Sequence, residues 1–117
     1  MTDDTKKIVL RNLLDLDRLP QEIPWQHFRD GIEIYPLYTN DEGCSAALLR
    51  YTSNAKLPAH MHTGYEHILV LDGAQADEEG RYDRGTLMIS PPGSSHTITS
   101  EAGCIVLAIW EKPVRFL

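Results

Sequence analysis

Short runs of alternating apolar and polar residues set the rhythm of this chain. Ile32-Glu33-Ile34-Tyr35-Pro36-Leu37-Tyr38 has a period of two, the signature of a strand with one buried face. Pro36 cannot donate to a ladder, so an edge position is expected for this strand. Cys44 to Thr52 predicts a second strand, and Tyr65 to Asp72 a β-rich run ending at Gly73. Thr86 to Ser90 predicts a short strand, and His96 to Thr99 and Cys104 to Trp110 predict two more. The segments between them are turn chemistry: Thr39 to Gly43, Ser53-Asn54-Ala55, Asp77-Glu78-Glu79-Gly80, Pro91 to Ser95, and Ser100 to Gly103. Turn signals thus recur about every ten residues, which points to an all-β sandwich or barrel.

The beginning of the chain is less regular. Ile8 to Leu14 fits either a strand or a short helix, Pro20 and Pro24 interrupt the stretch after it, and Asp30-Gly31 is a turn. The organisation expected is one domain. Residues 1–30 form an N-terminal arm that packs on the barrel or between subunits, and residues 31–117 form the barrel.

Composition narrows the picture. The chain has 117 residues with an apolar fraction of 42%, enough for one core. Its longest apolar run, Cys104 to Trp110, falls far short of the roughly 18 residues a membrane helix needs. Met1 to Lys7 is polar, so no secretory signal is expected and a cytoplasmic location follows by default. The net charge is −6 and no Lys/Arg cluster exists, which argues against nucleic acid and anionic membranes as partners. Cys44 and Cys104 lie outside any C-x-x-C, and each follows a glycine near the start of a strand. Both are expected as buried, reduced thiols, with pairing left open because it requires a geometry that sequence does not supply.

The chemistry concentrates in His60-x-His62-x3-Glu66 and in Gly85-x5-Pro91-x-Gly93-x2-His96. Imidazole and carboxylate are the ordinary ligands of zinc, iron and manganese. On a strand, His60 and His62 project from one face, and Glu66 keeps their parity. On a helix the pair would diverge by roughly 200°. Parity points His67 away from them, so neither His67 nor the isolated His27 is expected to be a ligand.

These two motifs resemble those of the cupin superfamily. The first pattern, G-x5-H-x-H-x3,4-E-x6-G, is matched by Asn54, His60, His62, Glu66 and Gly73. The second, G-x5-P-x-G-x2-H-x3-N, is matched by Gly85, Pro91, Gly93, His96 and Ser100. Asn54 stands for a glycine, and Asn tolerates positive φ better than most residues. The wording is similar to the ChrR-type cupin domain in Leu48-Leu49-Arg50, in His60 to Gly73 and in Pro91 to His96. The resemblance covers roughly residues 43–110. It implies a double-stranded β-helix (a jelly-roll barrel) holding one divalent ion per chain on His60, His62, Glu66 and His96. Zinc is the ion the resemblance implies, while ligand softness also permits iron, manganese or nickel.

Small cupins generally pair, so a homodimer is expected. Full-length ChrR-type anti-sigma factors carry a separate helical domain with an H-x3-C-x2-C zinc motif, which this chain lacks. Sigma-factor binding is therefore not expected. Three functions remain open: a module that binds or senses a small molecule, a metal-dependent dioxygenase, lyase or isomerase acting on a diketone-like or acidic substrate, and a barrel merely stapled by its metal. Arg50, Tyr51 and Trp110 are candidates to line a pocket, and Met88 is expected in the core.

Overall fold

The computed structural model describes residues 5–15, 18 and 22–117. Residues 1–4, 16, 17 and 19–21 of the expected arm, Pro20 among them, lie outside that set. The described chain is all-β, with ten strands: β1 Gln26–Arg29, β2 Ile32–Thr39, β3 Ser45–Tyr51, β4 Ala55–Met61, β5 Glu66–Asp77, β6 Gly80–Asp83, β7 Leu87–Ser90, β8 Ser95–Ser100, β9 Cys104–Trp110 and β10 Arg115–Phe116. They pair antiparallel in the order β1-β2-β3-β9-β5-β8-β4-β10, with β6 and β7 also on β5. No described helix is long and apolar enough to cross a membrane.

The turns follow from their residues. Asp30-Gly31 closes the β1–β2 hairpin, with Gly31 at φ 76°. Asn40 Oδ1 accepts from the backbone N–H groups of Glu42 and Cys44 and so folds the β2–β3 turn. Asn54 adopts φ 65°, the left-handed conformation its side chain tolerates.

β5 is the corner of the barrel. Its first half pairs with β9 and β7, and its second half with β6 and β8. The register against β9 slips between Val70 and Asp72. Such a bulge is how one strand passes from one sheet to the other. It also reverses which face the side chains occupy. Ile68 and Val70 belong to the inner core with Leu49, Leu57, Ile98 and Val106, whereas Leu71 belongs to an outer cluster with Leu48 and Ile105. Leu10, Leu13, Ile23 and Trp25 of the N-terminal segment pack against that outer cluster.

A second slip lies in β4. Leu57 pairs with Ile98 and His60 with His96, so three residue steps on β4 oppose two on β8. The extra residue falls at Pro58-Ala59, both exposed, and Leu57 and His60 on either side are both buried.

Several details differ from expectation. β2 is not the edge, because β1 pairs with it; that pairing stops at Ile34, so Pro36 meets only β3. Ile8 to Leu14 forms neither strand nor helix. The run ending at Gly73 continues as strand to Asp77. The short β1, β6 and β10 leave no mark in the sequence pattern, because each is too brief to show a period and exists only by pairing with a neighbour.

Gly73 permits the closest backbone approach in the barrel. It sits at φ 69°, and a Cβ built there would lie 2.1 Å from the Gly103 carbonyl oxygen. Gly85, at φ 89°, has open space around it. Gly85→Ala is expected to cost about 1–2 kcal/mol from backbone strain alone. Gly73→Ala should cost at least about 2 kcal/mol more, because backbone must move. Urea unfolding of the two variants reads the difference directly, and equal midpoints would refute the crowding argument.

Both cysteines are free thiols. Cys104 is buried, and burial pushes its thiol pKa up to about 11, whereas Cys44 is only half-buried. At pH 8 a disulfide reagent should therefore modify one thiol in the native protein and both in denaturant, with Cys44→Ser abolishing the native reaction.

Candidate metal centre

The Pro58-Ala59 slip turns His60 and His62 into the barrel, where each is about 1% exposed. His96 arrives from β8 directly opposite His60 in the pairing register. The three imidazoles can each offer one nitrogen to a common centre, and those atoms lie within 4.8 Å of one another.

Each ring is held from behind. His60 Nδ1–H donates to the Pro58 carbonyl at 2.9 Å, a bond within the bulge itself. His62 Nδ1–H faces the Ser94 carbonyl at 3.1 Å and Ser94 Oγ at 2.9 Å, and that hydroxyl donates onward to the Pro91 carbonyl. His96 Nδ1–H donates to Asp77 Oδ2 at 3.2 Å. With every Nδ1 engaged as a donor, every Nε2 is left with its lone pair for the centre. This backing by carbonyl or carboxylate is the usual second layer around metal-binding histidine.

Glu66 stands at the edge of the cluster. Its Oε1 lies 3.0 Å from His62 Nε2 and 3.8 Å from His96 Nε2. Its Oε2 accepts from Trp110 Nε1–H at 2.7 Å, across the β5–β9 pair. A carboxylate oxygen and an imidazole lone pair at 3.0 Å are tolerable only with a proton or a cation between them. His96 Nε2 is buried and meets no partner among the described residues. A buried nitrogen without a partner beside an acidic oxygen fits a cation at this centre.

His60 and Glu66 ionise as that fit requires, while His62 favours a proton on the side of Glu66. Burial lowers the pKa of His60, which favours the neutral, ligating form. Burial also acts to lower His62, but Glu66 and the Ser94 carbonyl outweigh it and raise the pKa. Burial would raise Glu66, yet His62 and the Trp110 donor hold it below the usual range, as a carboxylate. Asp77 is lowered too: the Glu79 N–H, the Tyr82 hydroxyl and His96 outweigh its burial.

Beside the imidazoles lies a cavity of about 40 Å³, room for about three water-sized groups. Leu57, Ile68 and Ile98 form its apolar wall, and Tyr51 and Trp110 reach it as well. Phe28 and Phe116, both partly exposed, also line it. The Phe116 ring lies 5.8 Å from that of His60, and Arg29 stacks on it, 3.9 Å from the ring centre.

Of the residues singled out in the sequence, His60, His62 and His96 meet, with Glu66 adjoining them. His27 is exposed on β1. His67 lines a separate outer hollow with Cys44 and Ile109. Arg50 lies outside the cavity, paired with Glu33 and 4.8 Å from the Trp25 ring. Met88 packs partly buried against the core. Sequence reasoning misses Asp77, Ser94, Gln75 and Phe116. Asp77 and Ser94 sit in segments that read as turns, and Gln75 and Phe116 belong to no motif.

Comparison with known proteins fits this architecture. The family model described as the ChrR Cupin-like domain matches residues 18–113. The anti-sigma-E factor ChrR of Cereibacter sphaeroides is 35% identical over 98 residues, covering 82% of this chain and 46% of the relative. The chain thus spans about half the length of that curated relative. The solved structure of Rhodobacter sphaeroides SigE in complex with the anti-sigma ChrR superposes with a TM-score of 0.69 at 32% identity, over 78% of this chain and 50% of that one. An acetylacetone dioxygenase from Acinetobacter johnsonii superposes at 0.77 over all of this chain and 80% of its own, at 12% identity, a likeness of fold alone. The expectation against sigma-factor binding is corrected by the first two of these, one named as an anti-sigma factor and the other solved with its sigma factor. A missing H-x3-C-x2-C motif is too narrow a basis for it.

His96→Ala should weaken divalent-metal binding by well over a factor of ten relative to His67→Ala, since only His96 turns a free Nε2 to the centre. Equal metal content in both variants after dialysis would contradict the assignment.

Proposed function

The chain belongs to the ChrR cupin-like family, and from that premise we propose a metal-binding sensory cupin that holds one zinc ion and a small molecule beside it. The observation that carries this reading is the set of three Nδ1–H groups tied back to Pro58, Ser94 and Asp77, which aims three lone pairs at one point beside Glu66. In the proposal His60, His62, His96 and Glu66 are the ligands. Three neutral imidazoles and one carboxylate suit zinc as well as iron or manganese. Zinc would supply Lewis acidity to an oxygen-bearing ligand in the cavity. Trp110 and Asp77 hold Glu66 and His96 in place, and the apolar wall excludes bulk water.

A sigma factor is the protein partner that family membership favours, since the 35% identical relative is named an anti-sigma-E factor. The chemistry in the barrel would then report to that partner. A second reading is supported by the cavity next to the ligand set, which gives room for a metal-bound substrate. It makes the chain a metal-dependent dioxygenase or related lyase acting on a small diketone-like or acidic compound.

Protein prepared without chelators and measured by elemental analysis is expected to carry one zinc per chain. Added zinc should raise the melting temperature of stripped protein in a concentration-dependent way, because a ligand of the native state stabilises it by mass action. Absence of bound metal after zinc reconstitution would sink the reading. Oxygen uptake by iron-loaded protein with a β-diketone separates the enzyme from the sensor.

A further inference from the structure

Gln75 lies on β5 two residues before Asp77 and is 2% exposed. The slip between Val70 and Asp72 turns this half of the strand so that Gln75 lines the same cavity as His60, Glu66 and His96. Its side chain lies beside the buried Cys104 thiol. Its carbonyl oxygen, Oε1, is shut off from solvent and meets no donor among the described residues. Buried polar atoms are usually paired, and an unpaired one destabilises the fold. Packing alone would favour Leu or Met at such a position. Leu57, Ile68 and Ile98 on the same wall carry no group that could donate to it.

We propose that Gln75 is a specificity-determining residue that accepts a hydrogen bond from an O–H or N–H group on a small ligand whose other end is an oxygen donor to the metal. The inference rests on the metal reading above and names the ligand class: a small hydroxy- or amino-substituted carboxylate. A cavity of about 40 Å³ limits such a ligand to a few heavy atoms unless Phe116 moves. One end of the ligand meets the metal and the other meets Gln75, so a carboxylate without the donor leaves Oε1 unpaired. Sites built to hydrogen-bond a hydroxyl reject the analogue that lacks it.

The test titrates zinc-loaded protein with glycolate and with acetate by calorimetry, in wild type, Gln75→Met and Gln75→Leu, with zinc content measured on every sample. Wild type is expected to bind glycolate at least about tenfold more tightly than acetate. In both variants the preference should fall to within about twofold, with acetate affinity unchanged. Without ligand, the variants should melt at or above the wild-type temperature, since the unpaired acceptor is gone. A purely structural glutamine would instead lower the melting temperature and leave the preference intact. Full zinc content with no glycolate preference in wild type, or a preference kept in both variants, overturns the role of Gln75 and leaves the metal reading standing. A wild-type chain that takes up no zinc overturns both.

Discussion

One extra residue on β4 decides which way the histidines face. Strand side chains alternate, so a residue three steps from Leu57 belongs on the opposite face. Leu57 nevertheless lies in the core and so does His60, because Pro58-Ala59 absorbs the odd step. A strand without the slip would bury either Leu57 or the histidine pair, but not both. The slip between Val70 and Asp72 plays the same part on β5. It lets one strand give the even positions Ile68 and Val70 to the core and then the odd positions Gln75 and Asp77 to the interior. The two irregularities meet at His96, which faces His60 across one of them and is backed by Asp77 because of the other.

Burying three imidazoles and a carboxylate is unfavourable unless each polar atom is answered. The barrel answers the outward nitrogens with groups already committed by backbone geometry: a carbonyl in the bulge, a carbonyl and hydroxyl in the Pro91–Ser95 loop, and a carboxylate at the β5–β6 turn. Asp77 also receives the Glu79 N–H and the Tyr82 hydroxyl on its other oxygen, so it is held independently of His96. Two polar atoms on the inner side, His96 Nε2 and Gln75 Oε1, go unanswered among the described residues. They line one cavity, where the interior departs from rules that favour stability alone.

Much of this is legible in the sequence. Period-two runs and turn residues locate most of the central strands, and the i, i+2 spacing of His60 and His62 puts them on one face. That this face is the inner one follows only from motif resemblance, since a bulge leaves no periodic signature. Asp77 reads as a turn residue because Asp-Glu-Glu-Gly is a turn; that its carboxylate also backs a histidine nineteen residues later is a fact of pairing across strands. Gln75 is silent for the same reason, being one polar residue in a run of small ones. The proposal of a sigma-factor partner lies beyond any motif in the barrel and comes from likeness to a longer protein.

One side of the cavity is lined by the slightest strand of the fold. β10 pairs with β4 at only two positions, Arg115 with Met61 and Phe116 with His60, followed by one bond from the Leu117 N–H to the Ala59 carbonyl. Arg29 of β1 stacks on the Phe116 ring. A strand held by so few bonds opens locally at far lower free energy than the barrel unfolds. Fraying of this two-residue strand would widen access to the cavity beside the histidines while the sheets that position them stay paired.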